Sequence, residues 1–206
     1  MMTEKKGYIL LTDTGSFLTK LIKLFTRKPY NHASISFDSE LVDVYSFGRK
    51  RIENPLIGGF VKEDVKKGLF KRADCAIYSF TVTDDQMKKM SRYIAEIETQ
   101  KDHYRYNFLG LFGFIFNKPI NRNKAFFCSE FVASVLKEGD IFDCDKPLSL
   151  IAPSDFQDAF KFQFVYEGKL QNYNNKDIDE ELCLRRTCFG QFFINVGSYY
   201  LFRFGR

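Results

Sequence analysis

Apolar and polar positions alternate with two periods along this chain, and the period sets the element. Gly7 to Leu11 is a short apolar run that predicts a strand, closed by a turn at Thr12–Gly15. Phe17, Leu18, Leu21, Ile22 and Phe25 then fall on one helical face, and Pro29 stops that helix. In NHASISFD, His32, Ser34 and Ser36 alternate with Ala33, Ile35 and Phe37, which is the two-residue period of a strand. A turn at Asp38-Ser39 and a second run from Glu40 to Phe47 predict a hairpin. Residues 51 to 72, with Pro55 and three glycines, read as irregular. CAIYSFTV, from Cys75 to Val82, predicts another strand. Thr83 or Asp84 caps a helix to about Thr99, with Met87, Met90, Tyr93, Ile94 and Ile97 as its stripe. The aromatic run Tyr104 to Phe116 reads as helical, and Phe131, Val132, Val135 and Leu136 predict a helix that starts at about Cys128 and ends near Gly139. A short helix at Pro153-Ser154-Asp155 and a strand at Phe162–Tyr166 follow. Beyond about residue 170 the texture changes to a polar stretch and then to aromatics mixed with arginines, so the expected division is a domain over 1–169 and an extension over 170–206.

The 206 residues suffice to bury a core without disulfides or metal. Phenylalanine is unusually frequent at 24 and tryptophan is absent, so much of that core is aromatic. A net charge of +5 is too mild to point to nucleic acid, which usually requires a concentrated basic patch. The five cysteines form no CxxC pair and only two histidines accompany them, so neither a metal site nor a cofactor is expected. The start, MMTEKKGYILL, holds a short apolar run with no cleavage site after it, and the longest apolar stretch, Phe108 to Phe116, is too short to span a bilayer. The expectation is a cytoplasmic chain with reduced thiols.

One cysteine stands in a special place. In FFCSEFVASVL, Cys128 falls in the first turn of the predicted helix, where unpaired backbone N–H groups and the helix dipole favour a thiolate. The same N–H groups suit an oxyanion. A nucleophilic cysteine also needs a base, and His32, first on a strand with a polar face, is the candidate. His103 is the rival, but KDHYRY reads as a charged helix exit. A third polar group normally orients the imidazole, and the neighbouring strand of the hairpin offers Asp43, Tyr45 and Ser46.

NHASISFD, then FFCSEFVASVL about a hundred residues on, then APSDF, resembles the circularly permuted branch of the NlpC-type papain-like cysteine hydrolases. YiiX-like proteins belong to that branch, and the lecithin:retinol acyltransferase group is related. The opening GYILLTDTGSFLTKLIKLFTRKPYNH is similar to that family's start, and the resemblance covers roughly residues 7 to 168. It implies an α+β, permuted papain-like fold in which an antiparallel sheet packs against the helix that starts at the catalytic cysteine. It also implies Cys128 as nucleophile and His32 as base. The family's third residue lies on the strand after the histidine strand. Simple alignment of ELVDVYSFGRK places Ser46 there, where Glu, His or Asn is typical; Glu40 and Asp43 are the nearby carboxylates.

The expected activity is a thiol peptidase or amidase acting on a small peptide, amide or ester, with lipid acyl transfer or a non-catalytic binding module as alternatives. The aromatic stretch Tyr104–Phe116 and the helix Phe17–Phe25, flanked by Lys20, Lys23, Arg27 and Lys28, are candidates for peripheral membrane contact.

Overall fold

The computed structural model describes residues 4–15, 23, 28–50, 57–68, 70–159 and 161–174, without the side chains of Leu111, Phe112, Phe114 and Ile115. The helix expected over Phe17–Phe25, most of the extension after residue 170, Cys183 and Cys188 lie outside the described residues.

The protein is α+β. Its main sheet has six strands: β1 (Lys5–Asp13), β2 (His32–Ser36), β3 (Val44–Arg49), β4 (Gly58–Glu63), β5 (Asp74–Val82) and β8 (Gln163–Lys169). Their order is β4-β3-β2-β1-β5-β8, and every pairing is antiparallel. A two-stranded parallel ladder joins β6 (Arg105–Tyr106) to β7 (Ala125–Phe126). The helices are α1 (Asp84–Thr99), α2 (Phe108–Ile115) and α3 (Cys128–Glu138). Thr83 caps α1 in a reciprocal box with Gln86. None of the described helices is long and apolar enough to cross a membrane.

Strand alternation divides the sheet between two cores. Ile9, Leu11, Ala33, Ile35, Phe47 and Phe60 join the larger one, against α1 and α3; Tyr8, Leu10, Val44, Cys75 and Ile77 form the smaller one. Phe131 of α3 is fully buried, its ring 5.1 Å from that of Phe47 and 5.8 Å from that of Phe60. Phe131, Val132, Val135 and Leu136 are all buried, as their spacing predicts, and each contributes about 1.5–3 kcal/mol relative to exposure. This apolar face fixes α3 across β2 and β3. Leu170 is buried, and the Tyr173 hydroxyl donates to the Ser39 carbonyl, so the unit that carries the sheet runs through Tyr173.

Two expectations are corrected here. The second strand of the hairpin begins at Val44 rather than Glu40, because the Asp38 carboxylate accepts from the N–H groups of Val42 and Asp43 and holds residues 38–43 in a turn. Residues 51 to 72 are not irregular throughout: Gly58–Glu63 is a strand paired residue for residue with β3.

Candidate active site

Cys128 is the first residue of α3, and its surroundings are assembled from four strands. Phe127 serves as N-cap without a side-chain bond; the Glu130 carboxylate instead folds back to accept the Phe127 N–H at 3.3 Å. That leaves N–H groups of the first turn facing the sulfur. The backbone N–H of Ser129 and that of Ala33 on β2 both donate to the Cys128 Sγ. The Ser129 hydroxyl donates to the Ile151 carbonyl at 2.6 Å, tying the start of the helix to the segment before Pro153.

His32, first on β2, bonds through its two ring nitrogens in opposite directions. Nε2 lies 2.7 Å from Glu63 Oε1, and the imidazole also hydrogen-bonds the Cys128 sulfur, which leaves Nδ1 for that contact. Glu63 ends β4. Strand alternation puts Ser34, Ser46 and Glu63 on the same sheet face as His32. The Ser34 hydroxyl donates to Glu63 Oε2 at 2.6 Å and the Ser46 hydroxyl to Oε1 at 2.5 Å. The carboxylate therefore has three partners while almost wholly removed from water, as a buried charge requires. The Phe70 ring, 6.0 Å from the imidazole, adds apolar cover.

The electrostatics follow from these contacts. Burial by itself pulls the His32 imidazole down, but the Glu63 carboxylate and the Cys128 sulfur outweigh it and push it up to about 10. Burial raises the Cys128 thiol, yet the hydrogen bond and charge of His32, with the N–H groups of Ala33 and Ser129, bring it below the ordinary thiol value. Both directions favour the thiolate–imidazolium form of the pair over the neutral one.

A fourth side chain reaches the sulfur. Tyr106, on β6, is buried, and its hydroxyl hydrogen-bonds both the Cys128 sulfur and the Cys128 backbone N–H. Burial first, then the sulfur's charge, holds this phenol protonated. Gly58 makes room for it: a Cβ there would stand 2.7 Å from the Cβ of Tyr106. Asn107, next in sequence, is fully buried and hydrogen-bonds Glu130; burial is the main reason that carboxyl is raised to about 7.

The structure brings the expected Cys128 and His32 together, but the orienting residue differs from expectation. Ser46 donates to Glu63 rather than to the imidazole, so it holds the residue that holds His32. Asp43 pairs with Lys62 at the surface, Tyr45 stacks on Phe60 on the other sheet face, and Glu40 is exposed. His103 lies exposed in the turn after α1. Glu63 lies in a stretch that reads as irregular, where the apolar pair Phe60-Val61 is the one local sign of a strand. Tyr106 was hidden in an aromatic run that reads as helix. Among the described residues, no group of three His, Cys, Asp or Glu side chains is arranged to hold a metal ion. No protein-family model, curated protein or solved structure matches this chain.

Proposed function

We propose that this chain is a thiol hydrolase of the circularly permuted, NlpC-type papain-like class, cleaving an amide or ester through an acyl-enzyme on Cys128. The observation that carries the reading is the continuous chain Cys128–His32–Glu63 at the start of a buried helix. The order of the pieces, histidine strand before cysteine helix, supports the permuted assignment. The Cys128 thiolate attacks the substrate carbonyl carbon. The oxyanion that forms takes hydrogen bonds from the Cys128 N–H and the Tyr106 O–H. The His32 imidazolium gives its proton to the leaving amine or alcohol as the carbonyl–heteroatom bond breaks. Neutral His32 then takes a proton from water, whose oxygen attacks the thioester and releases the acid and the thiolate. Glu63 keeps the imidazole in place and stabilises its charged form throughout.

The test is alkylation by iodoacetamide near neutral pH, followed by peptide mass spectrometry. Cys128 is expected to react at least about tenfold faster than Cys144, whose thiol donates to the Lys146 carbonyl. Equal or slower labelling of Cys128 removes the nucleophile from the reading.

Tyr106→Phe isolates the proposed oxyanion donor. It keeps the ring and deletes the hydroxyl, so turnover of an activated aryl ester is expected to fall roughly 10²-fold, the usual cost of one such donor. The loss is expected in kcat with little change in KM, and the alkylation rate of Cys128 is expected to stay within about threefold of the original, since the thiolate keeps His32 and two N–H donors.

A further inference from the structure

The segment between Tyr106 and Cys128 carries a surface that the chemistry above does not use. Helix α2 reads FLGLFGFI, without one polar side chain. A helix apolar all round is normally buried all round. Here Leu109 is 51% exposed, and Phe116, directly after the helix, is 69% exposed, the highest value among the large apolar side chains of the described residues. Seven residues separate them, which spaces the two about 10 Å apart along a helical path.

The sequence that flanks this apolar surface carries charge of one sign. From Tyr104 to Cys128 the sequence holds Arg105, Lys118, Arg122 and Lys124 and no aspartate or glutamate. All four cations are exposed. Lys124 reaches the neutral Gln100 side chain at 3.0 Å and the Tyr104 ring face at 6.0 Å. Among the described residues none of the four pairs with a carboxylate, in contrast to the lysines of Lys62–Asp43, Lys89–Asp140 and Lys146–Asp155. Unneutralised cations beside exposed Leu and Phe suit an anionic bilayer. The apolar side chains enter the headgroup boundary, and the long basic side chains reach the lipid phosphates. A second copy of this chain would bring the same positive rim against itself.

We propose that α2 and its flanks, Tyr104 to Lys124, form a membrane-surface docking element for anionic phospholipid. The element is anchored to the candidate active site. Asn107 Oδ1 accepts the Gly110 N–H at 2.9 Å at the start of α2, Asn107 Nδ2 donates to the Ile120 carbonyl at 3.1 Å, and Asn107 also bonds Glu130 two residues after Cys128. Docking needs no chemistry, so it stands or falls separately from the hydrolase reading.

Co-sedimentation of the full chain with sucrose-loaded vesicles tests this. Binding to phosphatidylcholine vesicles containing about a third phosphatidylglycerol is expected, about tenfold weaker on phosphatidylcholine alone and weaker again at high salt. Leu109→Asp with Phe116→Asp is expected to lower anionic-vesicle binding about tenfold. Lys118→Gln with Arg122→Gln and Lys124→Gln, all at exposed sites that leave the fold unchanged, is expected to lower it about tenfold and abolish the salt dependence. Circular dichroism of each variant confirms folding, and Cys128→Ala is expected to bind as the original does. Absence of binding to anionic vesicles overturns the proposal, as does binding that neither set of substitutions reduces. So does a dimer, seen by light scattering, that Leu109→Asp with Phe116→Asp dissolves, because the surface then belongs to a second copy.

Discussion

Glu63→Ala is expected to cost the candidate site both its stability and its turnover. The Glu63 carboxylate is buried and accepts from His32, Ser34 and Ser46 at once. Its removal leaves two hydroxyls and an imidazolium in a dry site without an acceptor. Breaking a buried charge pair from one side destabilises by about 3–5 kcal/mol, which for a unit of this size lowers the melting temperature by about 10 °C. The imidazole also loses the charge that keeps it protonated and the bond that fixes its ring. Turnover of an aryl ester is expected to fall by roughly 10²–10⁴-fold, the range that correctly placed acid–base groups contribute. Glu63→Gln separates the two effects. The amide retains an acceptor oxygen and the volume, so most of the stability is expected to return while the rate stays low by about 10²-fold, because a neutral partner does not hold the imidazolium. Rates that recover together with stability would show Glu63 to be a structural residue only. Thermal melts and ester turnover on the same samples read both quantities.

The contrast between Glu63 and Cys128 explains which parts of the site were legible in the sequence. Cys128 lies in a periodic segment: four apolar residues at helical spacing locate the helix, and the helix locates its first turn. His32 lies in a strand whose alternation is complete over HASIS. Both are announced by local patterns, and the structure puts both where those patterns predict. Glu63 belongs to a strand that exists because β3 pairs with it along its length. Two of its six residues are glycine, and the reason is tertiary: Gly58 lies against Tyr106, and a Cβ on Gly59 would meet the Tyr104 carbonyl at 2.6 Å. Residues chosen to let another backbone approach read as loop when only the local chain is seen. A glutamate beside Lys62 and Asp64 likewise reads as surface, and only the sheet reveals that it faces His32. Ser46 was found by register, which is set by alternation and so survives translation from sequence to structure. What register could not supply was the next strand over, whose carboxylate stands between Ser46 and the imidazole. The α+β class is what the family resemblance implies, and the strand and helix periods along the chain agree with it.

The second large effect is the dependence of both stability and rate on the His32–Cys128 proton. An unfolded chain loses a histidine proton at about 6.5 and a cysteine proton at about 9. Between those values it holds one proton on the pair of groups, on sulfur. The folded protein also holds one there, on His32, so the pair contributes a flat stability across neutral pH. Above about 9 the unfolded thiol ionises while His32, pushed up to about 10, keeps its proton. The unfolded state then binds fewer protons than the folded state, and stability falls as pH rises through that window, by about 1 kcal/mol for the unit between. Glu130, raised to about 7, has finished titrating before the alkaline window opens and leaves it undisturbed. Urea unfolding at steps from about pH 7 to about pH 10 is expected to show an alkaline decline in the original protein, to which the buried Cys75 thiol, pushed up to about 12, adds in the same direction. Ester turnover by the original is expected to follow a bell, limited on the acid side by protonation of Cys128 and on the alkaline side near 10 by loss of the His32 proton that the leaving group needs. Alkylation of Cys128 requires the thiolate alone and is expected to show the acid limb without the alkaline one. In His32→Ala the thiol regains its proton at neutral pH, alkylation there drops by about tenfold or more, and turnover falls by roughly 10²–10⁴-fold. An alkylation profile unchanged by His32→Ala would mean that the imidazole does not set the state of the sulfur, and the charged pair would be withdrawn.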